Sequence, residues 1–272
     1  MAVFYREESG MLIQEKSLFA ALRLPVLPHL TISLVGAGGK TSTMYQLADE
    51  LAAKGKRVVV TTSTHIFLPD DRNVVVTGKA DEAIAAMKAG EVTVVGQAAE
   101  KQGTKSQESE TRKMQASTAP EMRKLCGLPL PELRKLSVAA DILLIEADGA
   151  KRLPLKVPRT GEPVIPLETD VVIACAGLDS VGQTFEDACF RFETEGGWVR
   201  AGAAKLTDVI YPEDIAEILT DERGARKDVG DREYRILLNK ADDKERSDQA
   251  LAIIEKIHNI DKICSAVSSF RI

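Results

Sequence analysis

The chain has 272 residues, 44% apolar and 28% charged, with a formal net charge of −5. That balance excludes disordered and fibrous classes and allows one domain with a substantial core. The basic residues are scattered rather than striped, so a nucleic-acid partner is not expected.

No apolar run reaches the length of a membrane span, and the first residues lack a leader-like apolar stretch, so the expected location is the cytoplasm. Cys126, Cys175, Cys189 and Cys264 are far apart and form no C-x-x-C pair, which argues against a zinc site or a disulfide framework.

From the N-terminus onward, apolar runs bounded by turn residues alternate with helix-period segments. Strands are predicted near 31–36, 57–62, 73–77, 92–96, 141–146, 170–176, 234–239 and 260–266, and helices over 41–54, 80–89, 119–137, 212–222 and 243–257. Runs such as "RVVVTT", "DILLIE", "DVVIACAG" and "YRILLN" lack polar alternation, as strands covered on both faces do. The expected fold is α/β over 1–272: a mostly parallel sheet flanked by helices, of the P-loop NTPase type. The polar stretch "AAEKQGTKSQESETRKMQASTAPE", 98–121, breaks the rhythm and is expected to be a mobile insertion, either a tolerated surface loop or a lid.

The turn "GAGGKTS" after the first long apolar run invites three readings. A dinucleotide fingerprint needs a third glycine where Thr41 stands, and an acid at the end of the next strand, where the sequence has Thr61-Thr62-Ser63-Thr64. That reading fails twice. A phosphate-binding loop needs backbone N–H groups in a concavity, a lysine for the β- and γ-phosphates, and a hydroxyl for Mg2+. Gly36, Ala37, Gly38, Gly39, Lys40, Thr41 and Ser42 supply all of these in a short G-x-x-G-K-T form of the sort seen in Mur-type ligases. The third reading is a tight strand-to-helix turn with a solvated lysine.

Further candidates stand at strand ends. Glu146 and Asp148 close "DILLIEADG" in the manner of a Walker B strand, whose acids hold or polarise Mg2+; a helix cap with a surface acid is the plainer alternative. Lys151, Arg152 and Lys156 follow, each read first as a solvated surface cation. Asn239, Lys240 and Asp242 match the N-K-x-D pattern that reads guanine, with "CSAV" at 264–267 as a backbone contact to the base; Asp242 or Asp243 would otherwise cap the next helix. Thr62, Thr64 and His65 end the strand beside the glycine turn, with His65 a candidate general base or substrate contact.

The ordered set "VGAGGKTS", "GKRVVVTTSTHIFLP", "IEADGAKRLPLKVP", "GEPVIP", "VVIACAGLDSVG" and "LLNKADD" resembles the YqeC family, linked to selenium-dependent hydroxylases. The resemblance implies a nucleotide-binding maturation factor whose client is a molybdenum hydroxylase or its cofactor. No residue by itself speaks of selenium. The expected activity is a Mg2+-dependent NTPase using GTP or ATP, with Lys40, Glu146, Asp148 and His65 in the chemistry and Thr41, Glu146 and Asp148 at the metal. The alternatives are an ATP-dependent Mur-like ligase or kinase acting on a small anionic substrate, and a nucleotide-dependent switch without turnover.

Overall fold

In the computed structural model, which describes residues 2–67, 69, 72–98, 124–261 and 263–269, the predicted apolar runs become strands. The chain begins with β1 (Val3–Glu8), β2 (Met11–Glu15), α1 (Leu18–Ala21), β3 (Leu30–Gly36), α2 (Lys40–Ala52), β4 (Val58–Thr62) and β5 (His65–Phe67). It continues with β6 (Asn73–Val75), α3 (Ala80–Ala86), β7 (Val92–Val95), β8 (Gln97–Ala98), β9 (Lys124–Cys126), α4 (Leu130–Ala139) and β10 (Ile142–Glu146). Then follow β11 (Leu155–Lys156), β12 (Val171–Gly177), α5 (Phe185–Ala188), β13 (Cys189–Phe190) and α6 (Phe192–Glu195). The last elements are α7 (Pro212–Thr220), β14 (Glu233–Asn239), α8 (Lys244–Ile260) and β15 (Cys264–Ser269).

Among the described residues the main sheet has ten strands in the order β2-β1-β15-β14-β12-β3-β10-β4-β7-β6. From β15 to β6 every neighbouring pair is parallel. Strand β3 leads outward to β4 on one side, whereas β12, β14 and β15 extend the sheet on the other. The crevice at the carboxyl ends of β3 and β12 is therefore the switch point at which open α/β sheets bind ligands.

Side-chain alternation builds two cores from single strands. Val172 and Ala174 of β12 and Ile236 and Leu238 of β14 pack with α7 and α8, while Ile173, Cys175 and Leu237 pack with α2 on the opposite face. In β10, Ile142 and Leu144 face α2, and Leu143 and Ile145 meet α3 and α4. Burial on both faces is why these strands carry no polar alternation.

Two predicted boundaries shift most. The last strand is β15, later than 260–266, because α8 continues to Ile260. The helix expected over 119–137 begins at Leu130, since Lys124–Cys126 pairs with β5 and β8 and Pro129 and Pro131 fix the helix start. The polar stretch 98–121 lies, apart from Ala98, outside the described residues. The β1–β2 hairpin, unmarked in the apolar pattern, runs antiparallel along β15 and covers that edge. No helix among the described residues is long and apolar enough to cross a membrane.

Candidate functional site

Strand β3 is buried throughout and passes at Gly36 into a turn that opens α2 at Lys40. Gly36, Gly38 and Gly39 hold left-handed φ angles of +85°, +67° and +118°. Gly38 admits no other residue, because a Cβ there would lie 2.1 Å from the Gly177 nitrogen. The turn is fastened from several sides: the Ala37 N–H donates to the Cys175 carbonyl (2.9 Å) and the Gly38 N–H to that of Leu153 (3.1 Å). The Gly36 N–H donates to Asp148 Oδ2 at 3.2 Å. Past Gly39 no side chain caps the helix, so the first N–H groups of α2 have no intrahelical partner and present partial positive charge.

Those groups border a cavity of about 960 Å3. Gly38 to Ser42 line one part, Ser63 to Ile66 with Glu146 another, and Gly149 to Leu153 with Phe190 and Arg191 a third. Lys40, Thr41, Ser42, Glu146, His65 and Lys240 are all among its lining residues. Gly36, Ala37, Asp148, Asn239 and Asp242 lie outside that lining.

Thr41 Oγ1 donates to Glu146 Oε2 at 2.8 Å, joining the start of α2 to the end of β10. Lys40 Nζ donates to the Gly36 carbonyl at 2.5 Å and pairs with Asp148 Oδ1 at 3.0 Å. Burial works to lower the Lys40 pKa, but Asp148 and Glu146 beside it outweigh burial and hold the ammonium above its ordinary value. Burial pushes the Glu146 carboxyl up, and Lys40 and the Thr41 hydroxyl offset this only in part. Asp148 differs: Oδ2 takes the Gly36 N–H and Lys156 Nζ at 2.9 Å, so both its oxygens are held by the protein.

Lys156 corrects the expectation of a solvated surface cation. Its side chain is fully buried in β11 and bonds Asp148, the Gly149 carbonyl and Glu162. Glu162 also accepts from Arg191 and Arg159. Neither Glu162 nor Arg191 was a sequence candidate, and no local spacing links them. The available signal was Lys156 itself, a cation between Leu155 and Val157 in an apolar run, where burial demands a partner.

At the far end, Asn239 is buried and its Nδ2 donates to the Gly38 carbonyl (2.9 Å) and Thr43 Oγ1 (3.3 Å), while its Oδ1 accepts from Ser268. Lys240 pairs with Asp179 at 2.6 Å, in the loop after β12. Asp242 Oδ1 accepts from Ser269 at 2.7 Å, and it is Asp243 that caps α8. The contacts that β15 makes with the N-K-x-D segment thus come from Ser268 and Ser269, downstream of the "CSAV" stretch at 264–267. Thr62 donates to the Glu146 carbonyl and accepts from the Thr64 N–H, which makes it a strand-end brace. His65 opens β5 and is exposed.

The YqeC protein family matches residues 32–193, a span that includes the glycine turn, Glu146, Asp148, Lys156, Glu162 and Arg191 but stops before Asn239. A relative from Escherichia coli (strain K12), named as an uncharacterized protein YqeC, is 36% identical over 153 residues. The aligned part is 56% of this chain and 53% of that relative, so the chain spans about half the length of the curated relative it matches. No solved structure matches the chain. With the family matching more than half of its residues, the chain belongs to the YqeC family.

Proposed function

We propose that the protein binds a nucleoside triphosphate, GTP or ATP, together with Mg2+ and hydrolyses it. The observation that carries this reading is the meeting of Lys40, Thr41 and Glu146 at the uncapped start of α2, with the Thr41–Glu146 bond at 2.8 Å. An uncapped helix start after a glycine turn is a ready anion site.

The donor set suits Mg2+ that arrives with the nucleotide. Among the described residues no group of three or more His, Cys, Asp or Glu is placed to hold a metal by itself. Magnesium is held through one or two side-chain oxygens plus phosphate oxygens and water, so Thr41 would be its direct protein ligand, with Glu146 reaching the ion through one of its waters. The ion would neutralise charge building up on the phosphates. Asp148, taken up by two lysines and a backbone N–H, serves as the counter-ion of Lys40.

In this arrangement an incoming phosphate competes with Asp148 for Lys40. When Lys40 turns to the phosphate, Lys156 keeps Asp148 paired, so no bare carboxylate is left buried. Glu146, with its proton affinity raised by burial, is suited to accept a proton from an attacking water. Maturation of a molybdenum hydroxylase, implied by the sequence resemblance, is the setting we propose for this turnover.

Phosphate release by purified protein tests the proposal. Glu146→Gln is expected to keep triphosphate binding and to lower Mg2+-dependent release by about a hundredfold, the usual scale of a lost general base. Untouched turnover in the variant would remove Glu146 from the chemistry. A second reading, transfer to a co-substrate as in a kinase or ligase, is favoured by one observation: the cavity continues past Lys40 along a wall of further cations.

A further inference from the structure

Beyond Lys40 the cavity is lined by cations that the triphosphate reading leaves without a task. Glu162 stands at their centre, accepting from Lys156 Nζ at 2.7 Å, Arg159 Nε at 3.1 Å and Arg191 Nη1 at 2.5 Å. Burial tends to raise its carboxyl, yet Arg191 and Lys156 hold it down at about 2. One carboxylate thus anchors three cations.

Lys151 adds a fourth. Its Nζ lies 5.2 Å from the centre of the Phe190 ring, and the Arg191 guanidinium lies 4.5 Å from the same ring. Both residues sit on left-handed backbone, Lys151 at φ +47° and Arg191 at +65°, a conformation that disfavours a side chain. Strain of this kind persists where the surrounding structure fixes it, and it clusters at ligand clamps. Bringing two cations to one ring also works against their mutual repulsion. Nothing in the overall charge asks for such a wall, since the chain as a whole is acidic, at −5. A cavity of one sign with low-dielectric walls concentrates ions of the other sign.

From this clustering we infer that Lys151, Arg159, Arg191 and the Phe190 ring form a second subsite, which takes the oxyanion group, phosphate or carboxylate, of a small co-substrate. Arg191 is the anchor: only part of its guanidinium fork is needed for Glu162, and its remaining N–H groups suit an oxyanion. Lys151 supplies a point charge at the exposed rim, and Phe190 positions both cations. Among the described residues a chain of ion pairs through Asp148, Lys156 and Glu162 runs from Lys40 to the subsite, whose own residues are different from those of the glycine turn. The inference rests on the triphosphate reading for what lies next to the subsite, and its own residues are different.

The test is calorimetric titration of glycerol 3-phosphate and, separately, malonate into the full chain saturated with Mg2+ and a non-hydrolysable triphosphate analogue. One of the two probes is expected to bind, the phosphate ester or the dicarboxylate naming the chemistry. Arg191→Gln and the surface variant Lys151→Gln are each expected to weaken that probe about tenfold, as loss of a charge-assisted contact does. The inference is overturned if neither probe binds, if the analogue displaces the probe, or if Lys151→Gln and Arg191→Gln bind it as the parent does. Titration of the analogue alone judges the triphosphate reading, so the two fail independently.

Discussion

Glu146 and Asn239 each close a buried parallel strand, β10 and β14, at the same edge of the sheet, yet their side chains are bound differently. Glu146 receives the Thr41 hydroxyl, lines the cavity and has its proton affinity raised by burial. Asn239 is occupied at both ends of its amide and stays behind the glycine turn, bonding Gly38, Thr43 and Ser268. Asp242 and Lys240 are likewise tied to Ser269 and Asp179. A polar residue at a strand end is thus a position of opportunity. What it does follows from how many of its hydrogen-bonding atoms the protein itself uses.

The largest effect that would break this comparison comes from the brace common to both the turn and the cationic wall. Lys156→Met removes the buried cation between Asp148 and Glu162, and breaking such a pair should cost about 3–5 kcal/mol of stability, read by urea denaturation. A loss below about 1 kcal/mol would mean that Lys40 and Arg191 hold those carboxylates unaided.

Asn239→Ala comes next. It leaves the buried Gly38 carbonyl and the Thr43 and Ser268 hydroxyls short of partners, a loss of roughly 1–3 kcal/mol. A strut behind the turn should weaken ATP and GTP alike in competition titrations. A loss confined to GTP would move Asn239 from scaffold to base contact.

Asp242→Asn is expected to matter least for folding, within about 0.5 kcal/mol, because the residue is half-exposed and Asp243 caps α8. Its use is to sharpen the contrast at the end of β14. If Asp242 accepts from guanine, the parent prefers GTP over ATP, and the variant shifts towards xanthosine triphosphate by about tenfold. Equal affinities throughout would reduce Asp242 to a partner of Ser269.

The turn between β3 and α2 was legible in the sequence because its parts are local. A β3 apolar run, glycines that allow left-handed turns and a helix-period segment leave few geometries, and "DILLIE" puts Glu146 at the neighbouring strand's end. The eight predicted strands belong to the same sheet for the same reason: continuous Val, Ile and Leu runs mark strands buried on two faces. The β1–β2 hairpin escaped because an edge hairpin carries charge on its open side, as in Val3–Glu8, although the Ser9-Gly10 dipeptide at its turn was a usable sign. The cationic wall was not legible. Lys156, Glu162 and Arg191 are brought together by β11 pairing with β13, a contact of two residues per strand that no periodicity announces.

The most direct measurement is titration of a triphosphate analogue with Mg2+ into the parent and into Lys40→Ala, with circular dichroism to show that both are folded. Lys40 and the free N–H groups at the start of α2, acting on phosphate, predict a loss on the order of 1.5–3 kcal/mol in the variant, the range of a charge-assisted contact. Equal affinity in the two proteins, or no affinity in the parent, would contradict the assignment of the α2 start as a phosphate site.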